Sequence, residues 1–228
     1  MSAAIDFLNT IFWGYILIYG LLAVGVFFTL YLGLIQFRHI GHYFSSVFNA
    51  RAADRAGISP FQALCTSLAS RVGTGNIAGV AVALVLGGPG AIFWMWVVAF
   101  VGMATAYAES TLAQLYKVKD SSDASAVYRG GPAFYIARGL GLPWLGAIFS
   151  FCLILSFGLV FNAVQANSIA DAMEGAFGLP KIATGLALAA LTAVVIFGGI
   201  RKIATVAEYV VPFMAGIYLL VALIVVAM

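Results

Sequence analysis

Charged residues are scarce in this chain of 228 residues. Lys, Arg, Asp and Glu together make up 8% of it, whereas hydrophobic residues make up 64%. A soluble domain carries about 25% charged residues, so this chain has too few to cover a water-facing surface. The sequence therefore predicts an integral membrane protein that has the lipid bilayer as its main surroundings.

Cysteine is also rare, and the residue groupings that enzymes need are missing. Cys65 and Cys152 both lie inside apolar segments, which favours two free, buried thiols over a disulfide framework. The net charge is +3, with no basic run suited to nucleic acid. No nucleotide-binding loop, metal-ligand cluster or nucleophile–base–acid set is visible. We therefore expect no enzyme activity, no cofactor and no nucleic-acid partner.

Long apolar segments dominate the chain, and a helix needs about 20 such residues to span a bilayer. The segments are residues 11–34, 61–86, 92–116, 145–172, 182–197 and 204–228. They predict an all-α protein with about six transmembrane helices, the fifth being short. Residues 133–139 form a short stretch that is expected to lie in the membrane interface. The N-terminus lacks the basic residues of a signal peptide, so the first helix is expected to stay in the mature protein.

Basic residues are distributed unevenly between the two sides of this topology. Nine of the 11 Lys and Arg residues fall in the loops after the first, third and fifth segments, and Lys181 falls on the opposite side. Cytoplasmic loops carry the excess of Lys and Arg. We therefore expect a plasma-membrane protein with its N-terminus outside and its basic loops in the cytoplasm. The remaining basic residue, Arg71, lies inside the second segment; it is expected either to pair with Glu109 or to face a water-filled vestibule.

The second segment has an unusual middle. Ser59, Pro60 and Gln62 predict a capping box at its start. Further on it reads RVGTGNIAG at 71–79, with two glycines around Thr74. Glycine lowers helix propensity by about 1 kcal/mol relative to alanine. We therefore predict a broken helix at 69–79, with unpaired backbone groups around Thr74 that must face a cavity, water, ion or ligand.

A break of this kind offers ligands for both signs of charge. The N–H groups at the start of the second half-helix favour a carboxylate, and the carbonyls that end the first favour a cation. The break therefore predicts a site for an amino-acid carboxylate and a sodium ion. The alternative is a packing role, because Gly75 and Gly79 have the small-xxx-small spacing of helix interfaces. Thr74, Asn76 and Arg71 favour the binding interpretation, since packing explains none of them.

The fourth segment carries a second polar cluster. Its members are Asn162, Gln165, Asn167, Ser168 and Asp171. Asn162, Gln165 and Ser168 are three residues apart and share a helix face. That face suits hydrogen bonds to a zwitterion, or hydrogen bonds between helices worth about 0.6 kcal/mol each. Both interpretations remain open from the sequence.

Several stretches resemble the alanine or glycine:cation symporter family, the sodium:alanine symporters. They include GTGNIAG at 73–79 and LGGPGAIFWMW at 86–96, followed by residues 102–105, 130–132, 165–171, 198–200 and 211–214. The resemblance implies a leucine-transporter-type inverted-repeat fold with an extra N-terminal helix. Residues 1–36 would be that extra transmembrane helix, 37–58 a basic cytoplasmic loop, and 59–228 the first five-helix repeat. The family has a second repeat, so this chain is expected to be part of a longer protein that supplies the C-terminal repeat.

The resemblance also implies site residues. Thr74 and Gly75 would offer backbone N–H groups to the substrate carboxylate, and Asn76 would offer its side chain to substrate or sodium. The substrate wall would include Phe161, Gln165 and Asn167, and the carbonyls of Ala69 and Val72 would help to hold sodium. The implied function is sodium-coupled symport of alanine or glycine by alternating access. A non-transporting membrane scaffold or assembly subunit is the alternative, and it predicts a helix that continues unbroken through Gly75.

Overall fold

A computed structural model describes residues 2–49, 58–119 and 128–227. The helices are α1 (Ser2–Asn9), α2 (Ile18–Tyr31), α3 (Ile35–Arg38), α4 (Ile40–Asn49), α5 (Pro60–Arg71), α6 (Thr74–Gly87), α7 (Gly90–Leu115), α8 (Pro132–Gly139), α9 (Pro143–Leu153), α10 (Asn162–Phe177), α11 (Lys181–Ile196) and α12 (Gly199–Ala227). π-Helical stretches, Thr10–Leu17 and Ile154–Phe161, join α1 to α2 and α9 to α10. The short strands β1 (Val118–Lys119) and β2 (Tyr128–Arg129) form a two-stranded sheet.

The helices confirm an all-α membrane architecture. Four spans are long and apolar enough to cross a bilayer, namely Ala4–Tyr31, Gly90–Leu115, Pro143–Phe177 and Gly199–Ala227. The pair α5 and α6 makes a fifth if it is counted as one bent span. α11 has 16 residues, fewer than the about 20 of a typical span. The described residues therefore hold four or five full-length spans, and the sixth stays a prediction.

The first span begins earlier than its apolar run predicted. Helical structure starts before Ile11, in α1, and the Thr10 hydroxyl there donates to the Asp6 carbonyl at 2.8 Å, one turn back. The stretch predicted to be interfacial forms the helix α8, which begins with Pro132 at its first turn, and its place at the membrane interface stays a prediction. The division into an extra N-terminal helix and a five-helix repeat stays a prediction.

Large apolar side chains point outwards along the spans. Phe93 is 61% exposed and Leu223 is 70% exposed, as expected where lipid replaces water around the helices. Of the two free cysteines, Cys65 is buried and Cys152 is exposed. The expectation of two buried thiols is therefore met at Cys65 and wrong at Cys152, which lies on an outward face of α9.

The described chain forms two compact units. In the first, α2 packs closely against α7, and a Cβ atom on Gly25 would overlap the side chain of Val101. Small residues permit such close approach between membrane helices. The Gln36 Nε2 atom in α3 donates to Thr29 Oγ1 at 2.9 Å and to the Phe100 carbonyl at 3.2 Å. This buried amide therefore ties the end of the first span to α7.

In the second unit, α5 packs on α12 around a small buried cluster. Cys65, Ala207 and Val211 form this cluster, with Phe61 packed against it. The predicted capping box opens α5: Ser59 Oγ accepts from the Gln62 N–H, and Gln62 Oε1 accepts from the Ser59 N–H. Capping fixes where α5 begins, and the apolar cluster fixes the face that it turns to α12.

A charged turn joins α10 to α11 in the same unit. Gly178 has a left-handed conformation with φ 67°, which ends α10. Beyond it, Lys181 Nζ lies 2.5 Å from Asp171 Oδ1 and 3.5 Å from Glu174 Oε2. Backbone and side-chain contacts therefore both close this helical hairpin.

Candidate binding site at the helix break

The span made by α5 and α6 is interrupted at Val72 and Gly73. Val72 is extended, with φ −94° and ψ 103°, a backbone conformation that suits a β-branched residue. The two half-helices meet at a bend of 47°. The interruption lies inside the stretch whose composition predicted it. It precedes Thr74 and Gly75, which already form the first turn of α6.

Gln165 of α10 meets the chain at the break. A Cβ atom on Gly73 would lie 2.6 Å from Gln165 Nε2 and 3.0 Å from its Oε1. The Oε1 atom accepts hydrogen bonds from the Thr74 N–H at 3.2 Å and from the Thr74 hydroxyl at 3.3 Å. The absent side chain at Gly73 thus leaves room for the amide. The Thr74 N–H is paired, whereas the sequence predicted it to be unpaired; a residue far along the chain satisfies it.

Asn76 bridges the two half-helices. Its Nδ2 atom donates to the carbonyl of Arg71, the last residue of α5, at 2.5 Å. Its backbone N–H donates to the Gly73 carbonyl at 3.0 Å. The Oδ1 atom of Asn76 has no hydrogen bond within the described parts of the chain, and can accept one or coordinate a cation.

The carbonyls of Ala69 and Val72 lie where α5 ends. The Val72 N–H donates to the Leu68 carbonyl at 2.8 Å, and the next backbone bond over the break is accepted by Gly73. Among the described residues, neither Ala69 nor Val72 accepts a backbone hydrogen bond here. Unwound carbonyls are the groups that coordinate sodium in broken membrane helices. Their chemistry therefore fits the predicted role in holding sodium.

A cavity of about 390 Å³ lies between the break and α12. Its lining consists of Leu68, Val72, Asn76, Ile77, Val211, Met214, Ala215, Tyr218 and Leu219. Small-molecule sites are commonly concave and mostly apolar, with a few polar groups that orient the ligand. Asn76 and Tyr218 supply such groups here.

Phe161 and Asn167 make their described contacts along their own span. Phe161 stacks on Phe157 with ring centroids 5.2 Å apart, and Asn167 Nδ2 donates to Asp171 Oδ2 at 3.0 Å. Asn162 likewise donates to the Gly158 carbonyl. Within the described chain, Gln165 alone among the polar residues of α10 is hydrogen-bonded to the break. The assignment of Phe161 and Asn167 to a substrate wall stays a prediction.

Arg71 is exposed at the end of α5. Its predicted partner, Glu109, belongs to the other compact unit, and the pairing stays a prediction.

Sequence reasoning missed the α12 side of the site. Met214 and Tyr218 line the cavity, yet they lie far along the chain from the break. Met214 falls in the stretch 211–214 that resembles the family, but no site role was assigned to it. The one local signal was Pro212 inside α12, because a proline in a helix interior removes a backbone hydrogen bond.

These features define a multi-spanning helical membrane protein with a ligand-sized cavity beside a broken helix. Comparison with known proteins places the chain more narrowly. The chain belongs to the sodium:alanine symporter family, whose model matches residues 1–228.

Three relatives illustrate the likeness. The amino-acid carrier protein AlsT of Bacillus subtilis is 52% identical over 99% of this chain and 47% of its own length. The probable sodium/glutamine symporter GlnT of the same organism is 48% identical over 94% of this chain and 44% of its own length. The sodium/alanine symporter AgcS of Methanococcus maripaludis is 44% identical over 98% of this chain and 50% of its own length. This chain spans about half the length of the curated relatives that it matches.

Proposed function

We propose that the chain forms part of a sodium-coupled symporter that carries a small amino acid, alanine or glycine, across the plasma membrane by alternating access. The observation that carries this proposal is the interruption at Val72 and Gly73, in an apolar span and beside a cavity. Membership of a transporter family supports it. Relatives named for alanine and for glutamine support sodium coupling and leave the choice of amino acid to experiment.

The carboxylate of the amino acid would bind at the N-terminus of α6. The N–H groups of the first helical turn have no partner in their own helix, and they carry partial positive charge. Thr74 and Gly75 belong to this turn. Since Gln165 Oε1 accepts from the Thr74 N–H, a carboxylate oxygen would replace the amide oxygen there. Gln165 Nε2 would then be placed to donate to the bound carboxylate.

Sodium would bind at the end of α5. The carbonyls of Ala69 and Val72 and the Oδ1 atom of Asn76 are the candidate ligands of this chain. Asn76 also ties the two half-helices through its bond to Arg71. A cation bound by both halves of the span would set their relative position, which links sodium binding to the carboxylate site.

The remaining ligands would come from a second repeat that this chain does not contain. In that proposal the spans described here form an extra helix and the first half of a leucine-transporter-type inverted-repeat fold. The basic loops would face the cytoplasm.

The test is uptake of radiolabelled alanine by the complete gene product, in cells that lack their own alanine uptake. We expect uptake that requires sodium and is reduced by Gly75→Leu and by Asn76→Ala. Gly79→Leu is the matched control, because it adds the same side chain about one turn further along α6, and a Cβ atom meets nothing within 4 Å at either glycine. Uptake that is equal with and without sodium would exclude the coupling. Absence of uptake of any small amino acid would favour the scaffold alternative.

A further inference from the structure

Gln62 does more than cap α5. Its backbone N–H and its Oε1 atom complete the capping box with Ser59. Its remaining amide group, Nε2, donates to Glu208 Oε2 in α12 at 2.8 Å. One side chain therefore closes the N-terminus of α5 and ties that terminus to another helix. The acceptor is a carboxylate, and such hydrogen bonds are about twice as strong as neutral ones.

This bond lies beside the buried cluster that joins the same two helices. Cys65, Ala207 and Val211 pack together there, and Cys65 is 2% exposed. The hydrogen bond from Gln62 to Glu208 joins α5 and α12 beside this cluster. The contact between α5 and α12 thus combines this hydrogen bond with an apolar patch around the buried Cys65 thiol.

We propose that Gln62 and Glu208 form a latch that holds the half-helix α5 on α12, and that the latch opens during the transport cycle. α5 is separated from α6 by the extended residue Val72 and by Gly73, so it can move without unwinding α6. Glu208 is a positioning residue in this scheme. It holds the N-terminal end of α5 through Gln62, whereas the proposed cation ligands lie at the C-terminal end, so it touches neither solute. The purpose of the latch rests on the proposed transport function.

Cys65 provides a built-in reporter of the latch. Its thiol is covered while α5 lies on α12, so alkylation by N-ethylmaleimide measures how often the two helices separate. The complete gene product is alkylated in membranes, and modification of the Cys65 peptide is followed by mass spectrometry. Cys152, which is exposed, is the reference thiol and corrects for differences in the amount of reagent that reaches the protein.

The key variants are a substitution at Gln62 alone and a double variant in which the residues at positions 62 and 208 are exchanged. Gln62→Glu keeps the capping box, because glutamate serves equally at this position, but it places two carboxylates against each other. We expect Cys65 alkylation to rise about tenfold, the ratio equivalent to about 1.4 kcal/mol. Adding Glu208→Gln to that variant restores the hydrogen bond in the reverse direction, because the amide at position 208 then donates to the carboxylate at position 62. The double variant is expected to return to within about twofold of the natural rate.

The result that overturns the latch is a Cys65 rate that is unchanged by Gln62→Glu, or a double variant no slower than the single one, while the Cys152 rate stays constant. Should Gln62→Glu not insert into membranes, Glu208→Ala is used with the same expectation. In the natural protein the Cys65 rate must also differ between sodium alone and sodium with alanine, and equal rates overturn the opening step. If the protein shows no sodium-dependent uptake but Gln62→Glu still raises Cys65 alkylation about tenfold, the proposed function is contradicted, whereas the contact between Gln62 and Glu208 is supported.

Discussion

The Oε1 atom of Gln165 accepts hydrogen bonds from both the N–H and the hydroxyl of Thr74, at 3.2 and 3.3 Å. It therefore lies at the positive end of the α6 dipole, where a carboxylate would be favoured. The proposed carboxylate site is thus already occupied by a neutral acceptor from α10. Substrate binding becomes an exchange of one oxygen for another, and the identity of residue 165 should set how easily that exchange happens.

Changing Gln165 to glutamate should make the exchange harder. A carboxylate at a helix N-terminus is stabilised by about 0.3–1 kcal/mol, and by up to about 2 kcal/mol when partly buried. The protein would then carry its own competitor for the substrate. We expect Gln165→Glu to raise the alanine concentration for half-maximal uptake by about tenfold. Gln114→Glu, which adds a carboxylate on α7, is the control. An unchanged alanine concentration for half-maximal uptake in Gln165→Glu would show that this residue does not belong to the carboxylate site.

Gly73→Ala should act through Gln165. The new Cβ atom would lie 2.6 Å from Gln165 Nε2, and the long side chain can move away, which breaks its bonds to Thr74. Each lost hydrogen bond is worth about 0.5–1.5 kcal/mol. We therefore expect Gly73→Ala to change alanine half-saturation in the same direction and by the same factor as Gln165→Ala.

The two changes should also fail to add in the double variant, because residues that share one interaction are coupled. Uptake kinetics of the two single variants and the double variant measure this coupling. Full additivity would show that Gly73 matters for another reason, such as the conformation of the break.

Substitution of Asn76 should change the sodium dependence of uptake more than its alanine dependence. Asn76→Ala removes both the donor to the Arg71 carbonyl and the free Oδ1 atom, whereas Asn76→Asp keeps an oxygen ligand. We expect Asn76→Ala to raise the sodium concentration for half-maximal uptake by about tenfold, with Asn76→Asp closer to the natural protein. Asn162→Ala is the matched control, since that amide bonds within its own span. Equal sodium dependence in the two Asn76 variants would show that Oδ1 is not a sodium ligand.

The sequence predicted the helical class and the interrupted span, because both follow from local composition. Glycines and polar residues within 71–79 weaken a helix whatever surrounds them. The partner of Thr74 could not be predicted in the same way. Gln165 is ninety-one positions further on, and its polar neighbours in the fourth segment gave equal reason to choose another residue. The lining from α12 was missed because Met214 and Tyr218 are ordinary residues for any membrane helix.

Gly25 offers a prediction about stability alone. A Cβ atom there would overlap the side chain of Val101 and lie 3.2 Å from its carbonyl oxygen. Overpacking of this kind typically costs about 1–3 kcal/mol. We expect Gly25→Ala to lower the thermal unfolding midpoint of the detergent-solubilised protein, and Val101→Ala to restore part of the loss. Gly20→Ala on the same helix, where a Cβ atom has open space, should leave the midpoint unchanged; equal midpoints for Gly25→Ala and Gly20→Ala would contradict the close approach of α2 and α7.

The ion pairs at the turn between α10 and α11 bear on how the chain enters the bilayer during synthesis. On the predicted topology Lys181 lies on the side opposite the basic loops, and it contacts Asp171 and Glu174 across a turn that ends at Pro180. Charges pass through hydrocarbon more readily when they neutralise one another. On that topology we expect the two helices and their turn to be translocated as one hairpin, with the lysine carried across beside its own counter-ions.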